Sequence, residues 1–73
     1  MDVLKIGSQG ENVKKLQEQL AKFNYYTGVV DGDFGEATKQ AVIKLQQDYK
    51  LEVNGLCDLE TMKKIDFIKS LQN

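Results

Sequence analysis

Two acids separated by one residue, Asp31 and Asp33, lie in the glycine-rich stretch Asp31-Gly32-Asp33-Phe34-Gly35, and their spacing is the first in this chain to suggest chemistry. Oxygen ligands at alternate positions open a calcium loop of the EF-hand type. Such a loop also needs an oxygen ligand at its fifth position and a bidentate Glu at its twelfth. Gly35 and Val42 stand there, so calcium binding by this route is not expected. The same carboxylates could flank a glycosidic bond at ~5–9 Å. A chain this short has little room for the deep cleft that lifts the pKa of one acid, and catalysis by the pair is not expected either. Cys57 is the only cysteine, which excludes an intrachain disulfide and a cysteine zinc site. With no His anywhere to activate it, its thiol is a poor nucleophile. Tyr25 and Tyr26 are adjacent, so in an extended stretch one side chain faces inward and the other outward. The outward ring could stack on a sugar face while its hydroxyl hydrogen-bonds.

The elements that would position these residues come from a chain of 73 residues, enough for one domain with one modest core. A core of that size yields only about 3–5 kcal/mol of net stability. The hydrophobic share of 41% and charged share of 29% are those of a globular protein. A net charge of −1 speaks against nucleic-acid binding, which draws on an excess of Lys and Arg. No run of signal-peptide or membrane-spanning length occurs, so export is expected to depend on a larger parent protein or another route.

Three segments carry helical periodicity. Val13, Leu16, Leu20 and Phe23 predict a helix over about 9–23, with Ser8 and Glu11 in the spacing of a capping box and Asn24 suited to a left-handed end. Ala37, Ala41, Val42, Leu45 and Tyr49 predict a second over about 36–49. Leu59, Met62, Ile65, Ile68 and Leu71 predict a third over about 59–71, capped by Asp58. Phe67 lies off that stripe and is expected to pack on Val3, Leu4 or Ile6. Three glycines, Gly28, Gly32 and Gly35, predict a tightly folded first connection with several positive-φ sites. The pattern Val30-Asp31-Gly32-x-Phe34-Gly35-x-x-Thr38 returns as Val53-Asn54-Gly55-x-Cys57-Asp58-x-x-Thr61, 23 residues later. A turn-then-helix unit therefore occurs twice, and Cys57, in register with Phe34, is expected to be a buried plug. The fold class read from these signals is all-α: a compact three-helix bundle with two structured Asp/Asn-Gly loops, one domain over 1–73 with its core in 4–71.

Leu4-x-x-Gly7-x-x-Gly10-x-x-Val13-x-x-Leu16-Gln17-x-x-Leu20 resembles the opening of the type 1 peptidoglycan-binding domain. The stretch from Tyr25-Tyr26-x-Gly28 through Val30-Asp31-Gly32-x-Phe34-Gly35 to Leu45-Gln46 resembles its most specific part, and Leu51-x-Val53-Asn54-Gly55 with Thr61 resembles its close. Departures are Asn24 for a usual Gly, Glu36 for Pro, Leu45 for Phe, Asp58 for Gly, Leu59 for Pro and Met62 for Trp. The resemblance implies a monomeric module with no activity, metal or cofactor of its own. It would bind the glycan or stem peptide of the bacterial cell wall and deliver a covalently linked hydrolase to it, outside the cell and away from membranes. The contact residues expected on this basis are Tyr25, Tyr26, Asp31, Gly32, Asp33, Phe34 and Gly35. An alternative role is a protein-interaction or inhibitory domain acting on its linked hydrolase.

Overall fold

Each apolar stripe forms a helix: α1 (Glu11–Lys22), α2 (Glu36–Asp48) and α3 (Leu59–Leu71), in a computed structural model that describes residues 3–72. Met1, Asp2 and Asn73, the ends of the expected domain, lie outside the described residues. Val13, Leu16 and Leu20 of α1 meet Ala41, Val42 and Leu45 of α2 and Ile65 and Ile68 of α3 in a single core that also takes in Tyr26, Phe34 and Cys57. Phe34 and Cys57 are 2% and 1% exposed, so both repeats do drive a plug into the core.

The start of α1 differs from expectation. Ser8 and Glu11 do not form a capping box; the Ser8 hydroxyl accepts the Lys5 N–H at 3.0 Å, and Gly10 occupies the N-cap with no side-chain cap. The reason is that the segment before α1 is committed to another partner. Gly7 N–H donates to the Phe34 carbonyl at 3.0 Å, Phe34 N–H to the Ser8 carbonyl at 2.9 Å, and Gly10 N–H to the Gly32 carbonyl at 3.0 Å. Leu4 and Cys57 exchange N–H···O bonds of 3.2 and 2.8 Å. The chain leaves this pairing and enters the helix at φ 123 on Gly10, a conformation that suits glycine alone. The N-terminal segment thus stitches together the connections that precede α2 and α3, without a named strand among the described residues.

The helix ends repeat as well. Asn24 adopts the left-handed conformation (φ 68), and Tyr25 N–H returns to the Leu20 carbonyl at 2.8 Å. After α2, Lys50 does the same (φ 57) and Leu51 N–H returns to Gln46 at 2.8 Å. Both are Schellman closures. At α3 the Asp58 carboxylate accepts the Thr61 N–H at 3.0 Å, the expected N-cap.

One expectation for α3 fails. Leu59 and Leu71 are exposed rather than buried, because the core contacts of this helix come from Thr61, Ile65 and Ile68, with Met62 half-buried. Phe67 is 53% exposed and lies beneath the Lys64 ammonium, 5.1 Å from its ring centroid, while Leu4 of the N-terminal segment packs on the core beside its Cys57 pairing.

Candidate functional site

A single side chain of α1 organises the connection between α1 and α2. Gln17 is fully buried, and its carbonyl oxygen accepts the N–H groups of Asp31 (3.1 Å) and Gly32 (2.9 Å). Those backbone donors fix which end of the amide faces the loop. Its nitrogen donates to the Asp33 carbonyl at 2.9 Å and to the Thr38 hydroxyl at 3.0 Å, with Asp31 Oδ1 and the Tyr26 hydroxyl farther away at 3.2 and 3.4 Å. An amide has two hydrogens, so the two shorter contacts take them most directly. Asp31 Oδ1 also accepts the Asp33 N–H at 2.9 Å, an Asx turn.

The connection between α2 and α3 is built identically from Gln46, also fully buried. Its oxygen accepts the N–H groups of Asn54 and Gly55, both at 3.1 Å, and its nitrogen donates to the Leu56 carbonyl, Thr61 hydroxyl and Asn54 Oδ1 at 2.9, 3.0 and 3.0 Å. Asn54 Oδ1 accepts the Leu56 N–H at 2.9 Å. The Thr shared by the two repeats is therefore a buried acceptor for a glutamine from the preceding helix. Sequence reasoning assigned Gln17 and Gln46 no role; the recurring Leu-Gln pairs, Leu16-Gln17 and Leu45-Gln46, are the signal that points to them.

Of the seven expected contact residues, the fold turns Tyr26, Gly32 and Phe34 inward. The Tyr26 hydroxyl donates to the Val29 carbonyl at 2.6 Å, and its ring lies where a side chain on residue 28 would begin: a Cβ on Gly28 would fall 2.8 Å from that hydroxyl. Gly32 has φ +78, and a Cβ there would meet the Gly10 carbonyl oxygen at 3.2 Å. Neither Gly28 nor Gly35 has positive φ, so the connection has one such glycine rather than several; Gly28 is kept small by the Tyr26 ring. Asp31, Asp33 and Gly35 face solvent. Tyr25 is half-buried with its hydroxyl 2.6 Å from Asp48 Oδ2; burial and then this neighbouring carboxylate push its ionisation well above the ordinary tyrosine range, so it stays a neutral donor.

The surroundings of Asp31 and Cys57 shift the two groups in opposite directions, toward the carboxylate and toward the thiol. The Asp33 N–H, then Gln17, hold the Asp31 carboxyl below the usual carboxylate range, so it carries no proton to donate at neutral pH. Burial, with Asp58 adding to it, pushes the Cys57 thiol up to about 12 and leaves it unionised. No group of three or more His, Cys, Asp or Glu able to hold a metal occurs among the described residues.

A second concave surface lies on the side of α1 that faces α3. Asn12, Lys15, Leu16 and Gln19 on α1 and Met62, Ile65, Asp66 and Lys69 on α3 line a groove of about 560 Å³, together with Leu4 and Cys57. Gln19 Oε1 is buried beside it and has no hydrogen-bond partner. Such an orphaned acceptor costs about 1–3 kcal/mol.

Residues 9–65 match the family described as "Putative peptidoglycan binding domain", a span that contains both glutamines, both loops and both buried threonines. The chain belongs to this family. It superposes on the solved SleB N-terminal domain with a TM-score of 0.90 at 36% identity, covering 92% of each chain. It is 39% identical over 61 residues to the N-acetylmuramoyl-L-alanine amidase CwlM of Mycobacterium tuberculosis, spanning 84% of this chain and 15% of that one. It is 41% identical over 59 residues to a spore cortex-lytic enzyme of Bacillus cereus, spanning 81% of this chain and 23% of the enzyme. The chain thus spans under a quarter of either relative's length.

Proposed function

We propose that the chain is a non-catalytic module that binds peptidoglycan and holds a linked cell-wall hydrolase against it, at the cell wall outside the membrane. The observation that carries this reading is the family match over the whole span of the two glutamine-clamped loops. The first loop supplies the contact surface through Tyr25, Asp31, Asp33 and Gly35, with Tyr26, Gly32 and Phe34 holding its shape from inside. The half-buried Tyr25 ring, tethered through its hydroxyl, is a fixed plate for a sugar, and the two carboxylates accept hydrogen bonds from acetamido and peptide N–H groups. Because the backbone is already held by Gln17, little ordering entropy opposes binding. One shallow site binds weakly, and its effect is to raise the local concentration of the attached enzyme at the polymer. A fusion of residues 1–73 to a fluorescent protein is expected to co-sediment with purified sacculi; its full recovery in the supernatant at saturating sacculus load would overturn the proposal.

A further inference from the structure

The groove between α1 and α3 is separate from the loop surface and differs from it in chemistry. Its floor is aliphatic, from Leu16, Met62 and Ile65, and none of its lining residues is aromatic. Its rim holds two cations, Lys15 and Lys69, and one anion, Asp66. Gln19 adds an acceptor that has no hydrogen-bond partner among the described residues. Its volume lies in the range of small-ligand pockets, about 300–1,000 Å³.

Resting on the function proposed above, we infer that this groove takes the peptide arm of peptidoglycan and that the sugars are held elsewhere. A stem peptide carries methyl side chains, amide N–H groups, several free carboxylates and an amine. Methyls match the aliphatic floor, the carboxylates match Lys15 and Lys69, the amine matches Asp66, and a backbone N–H would supply the donor that Gln19 lacks once its side chain, covered in the free protein, turns into the groove. Sugar rings ask instead for aromatic plates and for polar groups along the whole floor, which the groove does not offer. The identical spacing of the lining residues on the two helices, at 12, 15, 16 and 19 and at 62, 65, 66 and 69, gives an extended ligand a continuous face about two turns long on each helix.

Amide spectra of the labelled protein test this with two probes, a synthetic tetrapeptide L-alanyl-γ-D-glutamyl-diaminopimelyl-D-alanine and the peptide-free disaccharide of N-acetylglucosamine and N-acetylmuramic acid. The tetrapeptide is expected to shift Gln19, Met62, Ile65 and Asp66, including the Gln19 side-chain amide, and the disaccharide is expected to leave them in place. Charge reversal at two exposed positions, Lys15→Glu with Lys69→Glu, is expected to weaken the tetrapeptide at least tenfold. Gln19→Met, which keeps the length and removes the acceptor, is expected to weaken it without altering the fold. If sacculi still retain the protein while the tetrapeptide moves no groove resonance, or if the double variant binds it as tightly, the inference is overturned and the module's function stands. If neither sacculi nor tetrapeptide bind, both fall.

Discussion

Gln17 and Gln46 each close a loop with one side chain, accepting two backbone N–H groups and donating into the same turn. Removing either amide strands a buried donor, the Gly32 N–H in one loop and the Gly55 N–H in the other, and loosens the part-buried bond beside it. Gln17→Leu and Gln46→Leu are each expected to cost about 2–4 kcal/mol, read as a lower urea midpoint. Against a total of about 3–5 kcal/mol, that places either variant at the margin of folding. An unchanged midpoint would show that the loops hold themselves. The 23-residue echo in the sequence exposes the loop and threonine halves of these clamps but not the glutamines. Gln17 lies 14 residues before Asp31 while Gln46 lies only 8 before Asn54, so the glutamines fall outside the period. A contact that joins a helix to a loop of variable length leaves no fixed spacing to read. Cys57 shows the opposite case: its role as a plug followed from register with Phe34 alone.

Among the elements, helices were legible because an apolar stripe is a local signal, and their bounds moved by two residues at most. What sequence periodicity does not register is competition for a terminus. Ser8 has the right spacing to cap α1, yet pairing of residues 7–10 with the Gly32–Phe34 strand-like run takes precedence and leaves the cap to Gly10. Leu59 and Leu71 have the right spacing for burial, yet lie at the two ends of α3, beyond the reach of the core. The Asp58 cap has a pH signature. Burial acts to raise its carboxyl, but the Thr61 N–H and hydroxyl and Asn54 together outweigh it, and the carboxyl sits below its ordinary value of 3.8. A carboxyl depressed in the folded state stabilises above its unfolded pKa, and that stabilisation is lost as pH falls through the folded one. Melting temperature is therefore expected to hold level through mildly acidic solution and to drop below about pH 4, with Asp31 adding to the loss. Asp58→Ala is expected to cost about 1 kcal/mol at neutral pH. The gap between variant and wild type should close as both are taken below 3.8; a gap that persists undiminished there would contradict the assignment.

At the scale of the molecule, three short helices and an N-terminal segment hold two loops in fixed positions around one small core, the whole fold measuring only 27 × 25 × 23 Å. The segment is bonded to both loops, to Gly32 and Phe34 on one side and to Cys57 on the other, so the loops are coupled through it as well as through the core. Gly32→Ala strikes this junction, since a Cβ at φ +78 would press on the Gly10 carbonyl oxygen at 3.2 Å. It is expected to lower stability by more than 1 kcal/mol and to weaken sacculus retention in proportion to the folded fraction lost. Recognition by this module requires above all that the binding surface be formed before the ligand arrives. An amide titration with soluble muropeptides carrying both sugar and peptide measures that directly. The expected result is a set of shifts at Tyr25, Asp31, Asp33 and Gly35 and along the α1–α3 groove, with the side-chain amides of Gln17 and Gln46 unmoved. Silence at every position, or shifts centred on those two glutamines, would contradict it.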